Sequence, residues 1–316
     1  MSYIDNAWKT DNYKFVGKAF EFEYANRMNE LSIIFGEKKI NSIDYELEGA
    51  GGFGELMRYD GTNLHQVNMK RAFKTILRPG EYELSTTITR KAALIDKRGE
   101  CQKAGMRLGV SASMTVYLHV LRCLAGAFDQ TTLGGDGQPW ASEAHPVASK
   151  GSDGRVFIPD PEAGTFSNII KKEFSVAAIS EAQTMANRFV TPDGLPFLCK
   201  MDTVLVSPEL EEKARKIFGP DRQLMPEKDP ETNLNAANPV YGMRYIVVGG
   251  GNDGFRGDQW AVCDRRLMKE IFKVVYNTKP TTFQSKLDNP LLDMHTAYVD
   301  FDVGWGDARP IIFGRK

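Results

Sequence analysis

One proline-free stretch, roughly Lys91 to Phe128, constrains this chain more than any other segment. Its apolar residues Cys101, Ala104, Leu108, Ala112, Leu118, Leu121, Ala125 and Phe128 recur at three- and four-residue spacings, which traces one face of a helix. At about 1.5 Å per residue such a helix runs roughly 55 Å, longer than a small domain is wide. A helix of that length belongs to a coiled coil, a membrane span, a bundle or a flat subunit laid across a surface. Asp96, Lys97, Arg98, Glu100, Lys103, Arg107 and Arg122 interrupt the run of about 20 apolar residues that a bilayer demands. Gly99, Gly105, Gly109 and Ser111 replace the branched seam of a coiled coil with small residues. They let other backbone come close, although each interior glycine costs about 1 kcal/mol against alanine. The pattern predicts a helix packed on sheet or loop along one side.

The rest of the composition narrows the class. A chain of 316 residues with 42% hydrophobic and 26% charged content suffices for one large domain or two ordinary ones. Its formal charge of -1 excludes a global basic field for gripping nucleic acid. Cys101, Cys123, Cys199 and Cys263 are far apart, with no histidine at ligand spacing, so free buried thiols are expected and no metal site. The start, MSYIDNAWKT, has no basic lead and no apolar run, so no signal peptide is expected and a reducing cytoplasm suits folding.

Along the chain the period changes repeatedly. A weakly amphipathic helix is expected from Tyr13 to Phe35, with Phe15, Ala19, Phe22 and Asn26 on successive turns. From Ser42 to Thr89 the alternation of Ile43, Tyr45 and Leu47, then of residues around Val67, Met69 and Phe73, then of Tyr82, Leu84, Thr86 and Ile88, predicts an extended hairpin. Such a ribbon buries little by itself and must rest on something else. Thr131 to Gly164 is dense in Gly, Pro, Ser and Asp and predicts a surface loop. A second helix is expected over Phe166 to Phe189, a strand over Thr203 to Val206, and a helix over Pro208 to Phe218 capped by Ser207. A polar loop to Pro239, strands at Met243 to Val248 and Gln259 to Cys263, and a late β region through Tyr298 to Phe313 complete an α+β chain.

Chemistry-bearing motifs lack their context. Gly249, Gly251 and Gly254, and again Gly49, Gly51 and Gly54, match the spacing of a dinucleotide fingerprint, but neither is followed by the helix start that would meet a pyrophosphate. A nucleotide-dependent oxidoreductase is therefore a weak alternative. His65, His119, His145 and His295 are scattered without triad or ligand partners. Asp300 and Asp302 share one strand face, which a solvated face explains. The cations Lys70, Arg71, Lys74 and Arg78, interleaved with Met69, Phe73 and Leu77, suit contact with an acidic protein neighbour better than nucleic acid. No catalytic residue, cofactor or metal is expected, and the arm, ribbon, long helix and long polar loops favour an assembly subunit.

The order of these elements resembles the major capsid proteins of tailed bacteriophages, the Hong Kong 97-type fold. The resemblance rests on the segment ending in Ala144-His145-Pro146, on Val204-Leu205-Val206-Ser207-Pro208-Glu209-Leu210-Glu211-Glu212-Lys213-Ala214, on Asn238-Pro239 followed by Arg244 to Val248, and on Trp305-Gly306-Asp307-Ala308-Arg309-Pro310. It implies an N-terminal arm over 1–44, an extended loop over 45–88, and a peripheral domain over 89–200 with its spine helix at about 91–128. An axial domain over 201–295 and a return to the peripheral domain over 296–316 follow. The implied function is a structural subunit that assembles as pentamers and hexamers into an icosahedral shell around double-stranded DNA, made in the host cytoplasm and resident in the virion. A cellular nanocompartment shell shares the architecture.

Implied neighbour contacts are Met57, Arg58, Tyr59, Met69, Lys70, Arg71, Phe73 and Lys74 in the extended loop, and Glu227, Lys228, Asn233, Asn235 and Asn238 in the axial loop. Implied partners are further copies of the chain, a separate scaffolding protein, a portal, a decoration protein, and DNA held by weak nonspecific contact, with no membrane. Lys70 and Lys74 lie where crosslinking members carry a lysine, but nothing identifies an asparagine partner, so no crosslink is expected. The short arm speaks against a cleaved scaffolding segment.

Overall fold

A computed structural model describes residues 7–27, 31–49, 55–56, 73–95, 99–149, 159–219, 224–228, 235–285, 289 and 291–316. Helix α1 (Ala7–Arg27) opens the chain, followed by β1 (Gly36–Lys39), β2 (Tyr45–Glu48), β3 (Lys74–Leu77), β4 (Gly80–Thr89), α2 (Arg90–Leu94) and α3 (Glu100–Ala125). Three two-residue strands, β5 (His145–Pro146), β6 (Thr165–Phe166) and β7 (Ile169–Ile170), precede α4 (Val176–Ala186), β8 (Thr203–Val206) and α5 (Glu211–Phe218). Then come β9 (Leu224–Lys228), β10 (Asn235–Ala237), β11 (Arg244–Val247), β12 (Gly249–Gly250), β13 (Asp253–Gly254) and β14 (Trp260–Cys263). Helix α6 (Arg265–Ile271) leads into the long strands β15 (Phe272–Ser285) and β16 (Leu292–Trp305), and β17 (Ile311–Gly314) ends the chain.

Two sheets organise these elements. The first has the order β1-β15-β16-β4, and the second β11-β8-β14-β17-β7. Strands β8, β14 and β17 (TVLV, WAVC, IIFG) are buried throughout, because the second sheet is covered on both faces. One face supplies Leu205, Ala261, Ile311 and Phe313 to a core shared with Val116, Val120, Leu121 and Leu124 of α3 and with Phe272, Phe301 and Trp305 of the first sheet. The other face packs Val204, Val206, Trp260, Val262 and Ile312 against Ile179, Ala182 and Ala186 of α4 and Ala214 of α5.

The long helix is shorter than its sequence suggests. Helix α2 stops at Leu94 with Ile95 as its C-cap, and α3 begins after Gly99, its N-cap at φ +66, so the spine is 26 residues with a 3-10 turn at Gly126–Phe128, and about 39 Å long. Glu100–Phe128 is by length and composition apolar enough to cross a membrane, but Cys101, Leu108, Val116, Val120, Leu121 and Leu124 are buried in the protein's own cores. Cys101, Leu108, Ala112 and Leu121 of the anticipated stripe are buried, joined by Gly105, Gly109, Val116 and Leu124.

The neighbour of its first half is a helix, not sheet or loop. A Cβ on Gly105 would sit 2.4 Å from the Val16 carbonyl, and one on Gly109 2.6 Å from that of Phe20. The small residues thus seat α1 directly on α3. Among the described side chains of α1, Val16 and Phe20 are the buried ones, and Phe15 and Phe22 are 63% and 64% exposed. This reverses the face anticipated from spacing, and Arg27 ends the helix well before Phe35.

Other boundaries moved for identifiable reasons. The expected helix over Phe166 to Phe189 contracts to α4, because Phe166, Ile169 and Ile170 are claimed by β pairing with β5 and β17 and Ser175 caps the helix through Ala178 N at 3.2 Å. Ser207 makes no cap bond and instead donates to the Gly257 carbonyl at 2.7 Å. The stretch expected as a surface loop carries Trp140, Ala141, His145, Val147 and Ala148 in buried positions. Strand β4 pairs along its whole length with β16, so the second half of the anticipated ribbon belongs to the chain's own first sheet.

Candidate inter-subunit surfaces

The base of the extended loop is the antiparallel pair β2 and β3, in register Tyr45↔Leu77 through Glu48↔Lys74. It is seated by Leu47, Leu77, Ile40 and Val275, a small separate core. Glycines on and after β16 make room for it: a Cβ on Gly304 would lie 2.3 Å from Leu77 Cδ2, and one on Gly306 2.8 Å from Leu47 Cγ. Gly135 N donates to Thr75 Oγ1 at 3.1 Å, closing the loop after α3 over the same ribbon.

Two expected contact residues are therefore occupied internally. Phe73 is 3% exposed. The Lys74 ammonium lies between Glu46 and Glu48, and the Glu46 hydrogen bond raises its pKa. Met57, Arg58, Tyr59, Met69, Lys70 and Arg71 lie outside the described residues, as does His65. Ile43 at 88% and Leu56 at 95% exposed are the apolar side chains most open at this end.

In the expected axial contact, Glu227 and Lys228 fall on β9 and Asn235 on β10, an antiparallel pair with Asn235 opposite Lys228. Asn233 lies outside the described residues. Asn238 is a correction: its amide donates to the Ile217 carbonyl at 3.0 Å and its Oδ1 accepts from Val240 N at 3.1 Å, so it clasps α5 to the following turn.

The polar residues flagged by sequence are mostly structural joints. His145 is fully buried, with Nδ1 2.6 Å from Asp136 Oδ2 and Nε2 3.2 Å from the Trp140 carbonyl. His119 Nδ1 lies 2.8 Å from the Thr115 carbonyl, and its ring is wedged between Tyr82 and Phe301. His295 Nε2 meets Asp293 Oδ2 at 2.9 Å beneath Tyr13.

Asp300 is 8% exposed, not solvated, and Asp302 accepts the Arg78 amide at 2.8 Å while burial raises its pKa. Gly249 and Gly254 pair as a two-stranded turn, β12 with β13, where φ +96 at Gly254 requires glycine and no helix starts. The oxidoreductase alternative loses its phosphate cradle there. Gly51 and Gly54 lie outside the described residues. Of the long-helix cations, Arg122 pairs with Asp253 at 3.2 Å.

Two joints were not anticipated. Buried Asn168 accepts from Ser142 N and donates to the Trp140 carbonyl at 2.7 Å, tying the loop after α3 to β7. Arg309, in the flagged Trp305 to Pro310 segment, is fully buried and joins three segments through Asp307 and the carbonyls of Val190 and Val147. Only an unusual spacing, Asp-Ala-Arg inside an apolar run, could have marked it. Burial pushes the Cys199 thiol up to about 11 and the Cys123 thiol to about 12, so both are poor nucleophiles. Among the described residues no group of three His, Cys, Asp or Glu is arranged to hold a metal ion.

No protein-family model and no curated sequence matches this chain. Solved structures do. The virus-like particle from Pyrococcus furiosus is 9% identical with a TM-score of 0.50, over 96% of this chain and 99% of that one. The mature capsid of bacteriophage PhiM1 is 11% identical at a TM-score of 0.49, over 90% and 86% of the two chains. The satellite phage P4 procapsid is 10% identical at 0.49, over 95% and 90%. Identities this low speak to architecture alone, and the first likeness spans both chains almost from end to end. The arm helix, ribbon, spine helix and two sheets therefore make up the Hong Kong 97-type capsid fold.

Proposed function

We propose that this chain is the structural subunit of an icosahedral virus head, assembling as pentamers and hexamers around double-stranded DNA. The observation that carries the reading is the two-way coverage with a virus-like-particle subunit, 96% of this chain and 99% of that one. The ribbon beyond β2 and β3 reaches over a neighbour, with Ile43 and Leu56 as apolar contacts at its root. In this reading residues 45–79 are the extended loop, β4 having joined the first sheet, 201–295 are the axial domain that meets its copies at ring centres, and 89–200 with 296–316 the peripheral domain. Glu227, Lys228 and Asn235 contact neighbours around the ring, and Met57 to Tyr59 with Met69 to Arg71 contact the subunit beneath the loop.

Electron microscopy of the purified chain tests this directly. Rings or closed shells are expected, and a stable small oligomer that binds nucleotide would overturn the reading. Nuclease-protected DNA in shells recovered from cells separates a virus head from a nanocompartment, whose shells would hold protein instead. A separate scaffolding protein is part of the proposal, and uniform closed shells from this chain alone would count against it.

A further inference from the structure

The two edges of the first sheet are treated differently. At one edge β1 is four residues long, carries Lys38 and Lys39, and packs so closely on α6 that a Cβ on Gly36 would lie 2.2 Å from the Lys269 carbonyl. The rest of β15 on that side is covered by α1, where Tyr13 donates to the Thr282 carbonyl at 3.0 Å. These are the usual ways of blunting an edge. At the other edge β4 is ten residues long and runs in unbroken register with β16, from Phe301↔Gly80 to Leu292↔Thr89. It has no proline, no lysine and no bulge.

Which of its amides are free follows from one bond. Arg90 N donates to the Leu291 carbonyl at 2.8 Å, so hydrogen-bonded pairs with β16 recur at Ile88, Thr86, Leu84 and Tyr82. The amides and carbonyls of Glu81, Glu83, Ser85 and Thr87 then point away from the sheet. All four residues are exposed. The short contact of Ser85 Oγ with Thr296 Oγ1, 2.9 Å, is the close side-chain approach of a non-bonded pair and agrees with that assignment. Beside this edge, between β4 and α3, runs a groove of about 470 Å³ lined by Leu84, Thr86, Ile88, Ala104 and Leu108.

We propose that this edge pairs antiparallel with β4 of a second copy of the chain, about a two-fold axis through Ser85, joining two four-stranded sheets into one. The inference names a contact within the shell-subunit reading and rests on it for the presence of a second copy. The strand is complementary to itself in this register. Ser85 faces Ser85 of the second copy, Glu83 faces Thr87 and Glu81 faces Thr89, while on the groove face Tyr82 meets Ile88 and Leu84 meets Thr86.

The two Glu83 carboxylates are then offset by four residues, about 14 Å along the strands, beyond the screening length of about 8 Å at physiological salt. An axis at Leu84 halves that distance, and one at Glu83 sets the two carboxylates face to face, which is destabilising. An axis at Thr87 shortens the ladder, because α2 begins at Arg90. The carboxylates are also drawn in over their own sheet, Glu81 by the Tyr298 hydroxyl at 2.8 Å and Glu83 by the Ser85 hydroxyl at 3.1 Å. The pairs at Glu83, Ser85 and Thr87 alone supply about six backbone hydrogen bonds.

Three measurements test it. Hydrogen exchange at the amides of Glu83, Ser85 and Thr87 is expected to slow at least about tenfold between dissociated subunits and shells. Ser85→Cys is expected to give a disulfide-linked dimer on mild oxidation that the parent chain does not give. Ser85→Pro, or Thr87→Pro, removes only an outward amide, so the subunit keeps its circular dichroism and melting temperature but loses the dimer contact. Shells whose outward amides exchange as fast as in free subunits would overturn the pairing and leave the shell reading standing. Protected amides without a Ser85→Cys dimer would assign the edge to a different strand and also overturn it. If no shell forms but Ser85→Cys dimers do, and Ser85→Pro abolishes dimerisation of the parent chain, the pairing stands and the shell reading falls.

Discussion

Arg309→Met is the substitution that most directly measures what holds the two halves of the second sheet's surroundings together. The wild-type guanidinium has no exposed surface; Nε donates to the Val190 carbonyl at 2.9 Å, Nη1 to Asp307 Oδ2 at 2.9 Å, and Nη2 to the Val147 carbonyl at 3.0 Å. It also lies 4.9 Å from the centre of the Phe166 ring. Methionine keeps most of the volume and the apolar contact with Phe166 while removing every side-chain donor.

Asp307, 1% exposed at its side chain, then loses the guanidinium bonded to its Oδ2, and breaking a buried ion pair costs about 3–5 kcal/mol. The two carbonyls each lose a donor, at about 1–3 kcal/mol apiece if nothing replaces it. Asp307 keeps the Arg309 amide at 2.9 Å, and the segments can relax, so the expected loss is about 4–6 kcal/mol. Asp307→Asn in the same chain removes the stranded charge while retaining that acceptor, and the pair of changes is expected to recover about 2 kcal/mol relative to Arg309→Met alone. Urea unfolding of dissociated subunits, followed by fluorescence of the tryptophans, of which Trp140, Trp260 and Trp305 are buried, reads both numbers. A cost below about 1 kcal/mol for the single change, or strict additivity of the two changes, refutes the reasoning.

Further predictions concern packing, ionisation and the ribbon. Gly105→Val is expected to push α1 off α3 at a cost of about 1–3 kcal/mol and to make the N-terminal helix sensitive to limited proteolysis, whereas Gly126→Ala, with open space around it, should change stability by less than about 1 kcal/mol. Cys199 and Cys123 have folded-state thiol pKa values raised by burial from 9.0 to about 11 and about 12. Their contribution is fully present below the unfolded value and is lost as pH rises through the folded one, so stability should fall between about pH 9 and 12. Replacing either thiol by alanine should flatten that limb. At pH 8 the thiolate fraction of Cys199 is about one in a thousand, and mass spectrometry after iodoacetamide treatment should find it alkylated far more slowly than a free cysteine. Replacing residues 57–72 by a short Gly-Ser linker is expected to leave a folded subunit that assembles poorly. Extending the deletion through Leu77 removes buried Phe73 and Leu77 and should lower the melting temperature as well.

Much of the fold is legible wherever local pattern and burial coincide. Strand β8 falls where its sequence predicts, and β14 and β11 lie within a residue or two of expectation; β8 and β14 are covered on both faces and buried throughout, whereas β11 exposes Arg244. The spine helix is legible as a helix but not in its limits, since the proline-free stretch starts at Lys91 whereas α2 stops at Leu94 and α3 begins only after a left-handed Gly99. Of the expected contact residues, the subunit itself buries Phe73 and Asn238, the latter through the Ile217 carbonyl and the Val240 amide, and a one-residue pattern does not reveal such burial.

The sequence by itself determined the α+β class, the runs that become buried strands, the long apolar helix and the absence of a helix start behind the Gly249 to Gly254 cluster, because these depend only on neighbours within a few residues. The tertiary structure decided everything that depends on who arrives from afar. It chose which face of α1 is buried, because α3 offers backbone-close glycines to Val16 and Phe20 and nothing to Phe15 and Phe22. It drew β4 out of the ribbon into a sheet with β16, some two hundred residues later, because periodicity specifies a face but never a partner.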